Sequence, residues 1–341
     1  MGARRNSLAV SLLALCLLAA SAARAGAFSA QETADREGDQ SGQADADVAA
    51  PVDNATLKPL AEVAAAAPYP YDDVIRRILG DGNWGVEVVL IEPDGRTEKL
   101  AGLHENDAMM PASTMKLFTS WFGCVMTDQL RALGREPVFP APWITYEAYA
   151  AYTLKDSDND KAKAILKKFA PVNGPVVLER FYAGLGLAHI DDFKVVDGAG
   201  LSTGNRATAH LEVALLNFIR ETEHYRGYRE LLAKPGETGT LRERLRYLKG
   251  SLFAKTGTLT ITRVAALTGY LDMGNDGTLL LSIIGNDAHL SVKAQRERID
   301  QVVERLDHDA SNHTTPSDAS LAVTRRLDLG DRFSKAEAVF R

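Results

Sequence analysis

The order of strand-like and helix-like segments is the strongest constraint on the fold of this chain. Four strands are predicted, at Val86–Ile91, Thr97–Leu103, Arg263–Leu271 and Thr278–Ile284. The middle of the chain, from Ser113 to about Lys249, has mostly helical patterning. Strands from both ends must then pair with each other, whereas βαβ units would alternate strand and helix throughout. The sequence therefore predicts the α+β class: an antiparallel sheet built from N- and C-terminal strands, flanked by helices, with a helical subdomain inserted at about residues 127–249.

Helices are predicted on both sides of these strands and within the insertion. Apolar residues recur at helical spacing, with turn residues at the ends of each run. The clearest segments are Asp72–Leu79, Lys161–Phe169 and Val292–Leu306.

The first 27 residues have the pattern of an export signal. Arg4 and Arg5 precede an apolar run from Leu8 to about Ala20, and small residues follow it. One alternative is an uncleaved membrane anchor, but the apolar run is short for a membrane span. The other is a lipoprotein, whose signal needs a small residue directly before the lipidated cysteine, here Cys16. We expect a signal peptide at residues 1–27 and a periplasmic or secreted protein.

The remaining boundaries follow from changes in composition. Residues 28–68 are rich in Ala, Gln, Gly and acidic residues, which is typical of a flexible acidic linker. The globular domain is expected at residues 69–308. Residues 309–341 form a polar C-terminal tail, in which Leu321–Phe340 is a candidate short helix.

Charge and cysteine content exclude several classes of partner and cofactor. The chain has 39 basic and 45 acidic side chains, a net charge of −6 and no dense basic run, so we expect no nucleic-acid partner. Of its two cysteines, Cys16 lies in the segment expected to be removed and Cys124 remains. We therefore expect no disulfide framework within the chain, and no Cys/His spacing indicates a metal or another cofactor.

Ser113-Thr114-Met115-Lys116 is the first motif that suggests chemistry. Apolar residues follow at helical spacing, so Ser113 is expected to open a buried helix with Lys116 one turn along on the same face. A serine hydroxyl needs a base, and a buried lysine with a depressed pKa can serve as one. Taken alone, this pattern favours a helix N-cap at Ser113 over a nucleophile.

Ser157-Asp158-Asn159 is the second motif and precedes a predicted helix. A second hydroxyl can relay a proton to a leaving group, and a carboxamide offers both a donor and an acceptor to a peptide-like substrate. The structural alternative is a polar loop with an N-cap.

Lys255-Thr256-Gly257-Thr258 is the third motif, at the edge of the C-terminal strands. A cation beside a hydroxyl suits a substrate carboxylate. The glycine lets the backbone approach a ligand closely, so that the N–H of Thr258 can point inward. The structural alternative is an exposed edge or turn.

The three motifs, in this order, resemble those of the penicillin-recognising serine enzymes. Within that group the chain is most similar to the D-alanyl-D-alanine carboxypeptidase/endopeptidases, the S13 type of low-molecular-mass penicillin-binding proteins. Two further segments, Asp197–Ser202 and Glu237–Leu241, are similar to segments of that family. The resemblance spans about residues 85–306 and implies a β-lactamase/transpeptidase-like fold. The first two motifs lie close together in this chain, whereas the family usually inserts large extra domains between them.

The resemblance also implies a reaction and a role for each motif residue. The reaction is serine-type D-Ala-D-Ala carboxypeptidase chemistry, with endopeptidase action as a variant, on peptidoglycan peptides that end in D-Ala-D-Ala. β-Lactams would be covalent inhibitors. The implied roles are an acylated nucleophile at Ser113, its base at Lys116, a proton relay at Ser157, a substrate amide contact at Asn159, a carboxylate site at Lys255 and Thr256, and an oxyanion hole of the Ser113 and Thr258 N–H groups. Gly257 is also expected among the substrate-binding residues.

Two other functions remain open from the sequence. A class A β-lactamase needs a glutamate for deacylation in a Glu-x-x-Leu-Asn loop. The nearest match, Glu212–Asn217, has one residue too many and is predicted to be an ordinary amphipathic helix. The third possibility is a non-catalytic relative that binds peptidoglycan or a β-lactam without turnover.

Overall fold

The computed structural model describes residues 68–141, 144–188, 192–287 and 289–311. A single antiparallel sheet of five strands has the order β2-β1-β5-β4-β3. The strands are β1 (Trp84–Ile91), β2 (Thr97–Leu103), β3 (Leu252–Leu259), β4 (Val264–Asp272) and β5 (Thr278–Gly285). β1 and β5 pair along their whole length, so both ends of the domain meet in the middle of the sheet. This confirms the predicted α+β class.

The helices are α1 (Asp72–Leu79), α2 (Met115–Ala132), α3 (Tyr146–Lys155), α4 (Asn159–Phe169), α5 (Gly174–Gly184), α6 (Ala209–Arg220), α7 (Tyr225–Glu230) and α8 (Val292–Ser311). Short 3-10 turns lie at Ala112–Thr114, Gly239–Leu241, Arg246–Leu248 and Gly274–Asp276. The chain leaves the sheet after Leu103 and returns at Leu252, so the helical part is longer than the predicted 127–249.

Helices cover both faces of the sheet, which explains why the central strands are almost continuously apolar. Alternate residues of β5, such as Leu281 and Ile283, pack with Ile299 and Val302 of α8 in the main hydrophobic core. The residues between them face α6, where Ser282 bonds to Glu212. The sheet is therefore the middle layer, with α1 and α8 on one side and the helical part on the other.

Most predicted elements are found with small shifts at their ends. Asp72–Leu79 and Thr97–Leu103 match the prediction, while α4 begins at Asn159 rather than Lys161. Helix α8 was predicted to end at Leu306, but it continues to Ser311 and so crosses the predicted domain end at residue 308. The apolar spacing of this helix stops at Leu306. Its backbone hydrogen bonds continue through the residues that follow, and a pattern of apolar residues does not detect such an extension.

The expected signal peptide and nearly all of the expected linker, residues 1–67, lie outside the described residues, as does the tail from residue 312. In the part of the chain that the structure describes, no helix combines the length and apolar character that crossing a membrane requires.

Candidate active site

The three sequence motifs meet where β3 passes the start of α2. Ser113 lies in the 3-10 turn Ala112–Thr114, here called the Ser113 turn, and α2 begins at Met115. The sequence predicted that Ser113 opens the helix, and the structure corrects this: Ser113 precedes α2 by two residues and caps nothing. Its hydroxyl faces Lys116 instead. A 3-10 turn before a helix is common and leaves no mark on the apolar spacing.

Two glycines allow other backbone segments to pack tightly against the Ser113 turn. A Cβ atom on Gly257 of β3 would lie 2.7 Å from the carbonyl oxygen of Pro111. A Cβ atom on Gly200, which has φ +79°, would lie 1.8 Å from the carbonyl oxygen of Ala112. No side chain fits at either place, so the turn is held between the sheet and the loop that contains Gly200.

Lys116 connects the first two motifs. Its side chain is completely buried. Its Nζ lies 2.8 Å from Ser113 Oγ, 2.8 Å from Asn159 Oδ1 and 2.6 Å from the carbonyl oxygen of Ala199. The last two oxygens can only accept, so a neutral amine donates both of its protons to them and directs its lone pair at the Ser113 hydroxyl. The arrangement suits a base that removes the proton of Ser113.

The environment of Lys116 favours that neutral form. Burial lowers the pKa of Lys116 to about 8, and the negative charges of Asp197 and Asp158 oppose the shift only in part. A lysine with an ordinary pKa would be almost fully protonated at neutral pH, whereas a pKa of about 8 gives this one a minor but accessible neutral fraction.

The second motif divides its three side chains between the site and the fold. Ser157, at φ +59°, has its Oγ 2.9 Å from Lys255 Nζ. Asp158 caps α4 by accepting from the N–H groups of Asp160 and Lys161. Asn159 holds Lys116, as described above. The motif therefore contacts the lysines of the other two motifs and also forms the N-cap that the structural alternative predicted.

The third motif lies on β3, which is an edge strand of the sheet. Lys255 is completely buried, and its Nζ donates to Ser157 Oγ and, at 2.7 Å, to the carbonyl oxygen of Thr256. Burial, together with the nearby charge of Lys116, holds the pKa of Lys255 well below its ordinary value. A carboxylate that enters beside Lys255 would reverse this shift, because an opposite charge favours the ammonium form.

Two contacts around this motif were not foreseen from the sequence. Thr256 Oγ1 lies 2.7 Å from Thr240 Oγ1, and Thr258 Oγ1 accepts from Arg296 of α8 at 2.7 Å. Thr240 belongs to a segment that resembles the family, whereas nothing in the sequence distinguishes Arg296 from the other charged residues of α8. Arg296 places a second cation beside the strand that carries Lys255.

The Asp197–Ser202 segment forms the loop that contacts Lys116. The Asp197 carboxylate accepts from the backbone N–H groups of Ala199, Leu201 and Ser202, at 2.9, 3.1 and 2.6 Å. These bonds fold the loop so that the carbonyl of Ala199 points at Lys116. The sequence marked this segment only through its resemblance and its glycines, since a backbone contact has no side-chain signal.

Glu212, considered from the sequence as a deacylating residue, lies in α6 and is completely buried. Its carboxyl group contacts the hydroxyls of Thr114, Thr268 and Ser282. The predicted amphipathic helix is present, but Glu212 faces the sheet rather than solvent. The sequence pattern missed this because a charged residue is expected on an exposed face.

Cys124, Asp128 and His224 also come together, although their sequence spacing predicted no metal site. One ligand atom from each lies within 4.8 Å of the others. His224 Nε2 lies 2.7 Å from Asp128 Oδ2, and this hydrogen bond raises the pKa of His224. Burial raises the pKa of the Cys124 thiol. A protonated thiol beside a histidine–aspartate pair accounts for the cluster.

Part of the chain matches a known protein family. Residues 151–309 match the D-Ala-D-Ala carboxypeptidase 3 (S13) family. The curated proteins include no significant match.

Solved structures show the same fold at low sequence identity. Penicillin binding protein 4 of Haemophilus influenzae, in complex with a β-lactam, has a TM-score of 0.51 at 13% identity, over 68% of this chain and 99% of that one. A β-lactamase from Burkholderia vietnamiensis has a TM-score of 0.54 at 18% identity, over 72% and 96%. A β-lactamase from Chitinophaga pinensis has a TM-score of 0.53 at 17% identity, over 70% and 98%. The chain therefore has the fold shared by penicillin binding protein 4 and these β-lactamases, and its residues 151–309 match the D-Ala-D-Ala carboxypeptidase 3 (S13) family.

Proposed function

We propose that this protein is a serine-type D-Ala-D-Ala carboxypeptidase that acts on peptidoglycan peptides through an acyl-enzyme on Ser113. The observation that carries the proposal is the 2.8 Å contact between Ser113 Oγ and the buried Nζ of Lys116. A hydroxyl beside an amine with a depressed pKa is an activated nucleophile. The match of residues 151–309 to the S13 family favours peptide substrates.

In the proposed acylation, Lys116 Nζ takes the hydroxyl proton while Ser113 Oγ attacks the carbonyl carbon of the penultimate D-Ala. The N–H groups of Ser113 and Thr258 would stabilise the oxyanion. The C–N bond then breaks, and the proton that left Ser113 returns to the departing amine by way of the Ser157 hydroxyl. Water hydrolyses the ester and restores Ser113.

The carboxylate of the terminal D-Ala would bind at Lys255 and Thr256. Lys255 is buried with a hydroxyl and a carbonyl oxygen as its hydrogen-bond partners. An arriving carboxylate would favour the ammonium form of Lys255 and pair with it.

The alternative function is that of a class A-like β-lactamase, and the position of Glu212 argues against this function. Deacylation in that class needs a glutamate that activates water beside the acyl-enzyme. Glu212 is buried against hydroxyls of the Ser113 turn, β4 and β5 instead. We therefore expect a long-lived penicilloyl adduct and covalent inhibition by β-lactams.

Mass spectrometry of the intact protein separates these functions. After incubation with penicillin we expect a stable adduct, and with a D-Ala-D-Ala peptide we expect release of D-Ala. Rapid loss of the adduct would identify a β-lactamase, while the absence of any adduct would identify a non-catalytic relative. Ser113→Ala is the control for adducts elsewhere on the protein.

The proposed substrate requires export, since peptidoglycan peptides are met outside the cytoplasmic membrane. The export pattern of residues 1–27 supports a periplasmic or secreted location. N-terminal sequencing of protein from a periplasmic fraction should find a start near Gly26 or Phe28. Recovery only from the cytoplasm, with Met1 intact, would contradict this proposal.

A further inference from the structure

Glu212 connects the Ser113 turn to the sheet. One oxygen of its carboxyl group contacts the hydroxyl of Thr114, the residue after Ser113. The other oxygen contacts Thr268 on β4 and, at 2.7 Å, Ser282 on β5. The side chain is completely buried, so these contacts are shielded from water.

The surroundings of Glu212 contain polar groups but no balancing charge. Among the described residues, the interactions that shift its pKa are burial, which raises it, and the three hydroxyl contacts, which lower it. The net shift is upward. An ionised carboxylate buried without a cation is costly, and such a group becomes neutral instead.

The hydrogen-bond pattern of Thr114 gives an independent indication of the protonation state. Thr114 Oγ1 lies 2.8 Å from the carbonyl oxygen of Pro111 and also contacts Glu212 Oε1. A hydroxyl has one proton, and a carbonyl oxygen can only accept. If Thr114 donates to Pro111, the contact with Glu212 is a hydrogen bond only when Glu212 donates. The Ser282 hydroxyl donates to the other carboxyl oxygen, which a neutral acid still offers as an acceptor.

We propose that Glu212 is a neutral carboxylic acid that donates a hydrogen bond to Thr114 and thereby positions Ser113. The part of this proposal that concerns the positioning of Ser113 rests on the proposed acylation of Ser113. Glu212 is a positioning residue, because its contacts are with Thr114, Thr268 and Ser282 rather than with Ser113 or Lys116. Displacement of the turn would lengthen the contact between Ser113 Oγ and Lys116 Nζ, on which proton transfer depends.

The proposal predicts different effects for two substitutions of similar size. Glu212→Gln keeps a neutral donor and an acceptor, so its limiting rate of acylation by a fluorescent penicillin should stay within about threefold of wild type. Glu212→Met keeps the volume but removes both groups, and its limiting acylation rate should fall about 100-fold with little change in the penicillin concentration for half-maximal rate. If the Gln variant is as slow as the Met variant, the proposal that Glu212 acts as a neutral hydrogen-bond donor is wrong. A Met variant as fast as wild type would overturn the positioning role.

Two further measurements keep the test decisive. If Glu212→Met does not fold, Thr114→Val and Thr114→Ser replace it: the valine should slow acylation and the serine, which retains the hydroxyl, should restore it. Equal rates for these two variants would overturn the role of Thr114.

Infrared difference spectra of wild type and Glu212→Gln should show the carbonyl band of a protonated carboxylic acid only in wild type. The absence of this band would contradict the proposal that Glu212 is neutral. If wild type forms no penicilloyl adduct, the proposed function fails, while the infrared result still decides the protonation state.

Discussion

Lys255 Nζ lies 2.9 Å from Ser157 Oγ, and this contact joins the edge strand of the sheet to the helical part of the domain. Lys116 makes a second junction, because it contacts both Ser113 and Asn159. Two buried lysines therefore hold three separate chain segments around one site. Neither lysine has a carboxylate among its hydrogen-bond partners in the described structure, which leaves both amines available for chemistry.

Ser113→Ala should abolish acylation by penicillin and release of D-Ala, because the covalent route is lost. The Ser113 hydroxyl caps no helix, so the free energy of unfolding should change by about 1 kcal/mol or less. Fluorescent-penicillin labelling and thermal denaturation measure the two effects. Ser291→Ala, at an exposed position before α8, is the control for labelling and should label normally, although it should lose about 1 kcal/mol of stability because the Ser291 hydroxyl accepts from the N–H of Ala294 at the start of that helix. Labelling of Ser113→Ala at the wild-type rate would rule out Ser113 as nucleophile.

The rate of acylation should rise with pH and level off above about 8. Lys116 acts as a base only when neutral, and its pKa is lowered to about 8 by burial, so protonation below that value removes the base. Stopped-flow acylation at subsaturating penicillin, from roughly pH 6 to 9, checks this. A rate that falls over this range would contradict the assignment.

Lys116→Ala should slow acylation about 10²- to 10⁴-fold at every substrate concentration, because the proton acceptor is missing. Lys293→Ala, an exposed lysine of α8, is the matched control and should acylate like wild type. Burst kinetics with penicillin measure the acylation step directly. Residual acylation in Lys116→Ala should also lose the pH dependence described above.

Lys255→Met should weaken recognition of peptides with a free terminal carboxylate much more than recognition of the amidated peptide. Methionine fills most of the buried volume without the charge, so the comparison isolates the carboxylate contact. The KM and kcat for the two peptides provide the measurement. Equal losses for both peptides would contradict a carboxylate site at Lys255.

Gly200→Ala should displace the Ser113 turn, because the new Cβ would lie 1.8 Å from the carbonyl oxygen of Ala112. We expect slower acylation and a loss of about 2–4 kcal/mol in the free energy of unfolding, from crowding and from the positive φ together. Gly95→Ala is the matched control, since Gly95 has φ +88° but open space around it. Its loss should be limited to the backbone strain, about 1–2 kcal/mol. Similar losses in the two variants would show that crowding at Gly200 is unimportant.

The sequence alone determined the class of the fold and the chemical groups of the site. Turn residues and helical apolar spacing are local information, so the strand Thr97–Leu103, which follows the turn at Pro93-Asp94-Gly95, and the helix Asp72–Leu79 were predictable to the residue. The motifs identified Ser113, the proposed nucleophile, and both buried lysines, because the chemical groups of side chains follow directly from the residue types.

Only the tertiary structure decided how those groups act on each other. The pKa of Lys116 depends on burial, and burial depends on segments far away in sequence, such as the loop that brings in the carbonyl of Ala199. The burial of Glu212 also depends on residues far away in sequence. Its sequence neighbours predict an exposed helix face, but α6 packs against β4 and β5, and this packing buries the Glu212 carboxyl group beneath Thr114. Desolvation and long-range hydrogen bonds are properties of the folded chain, and no local pattern specifies them.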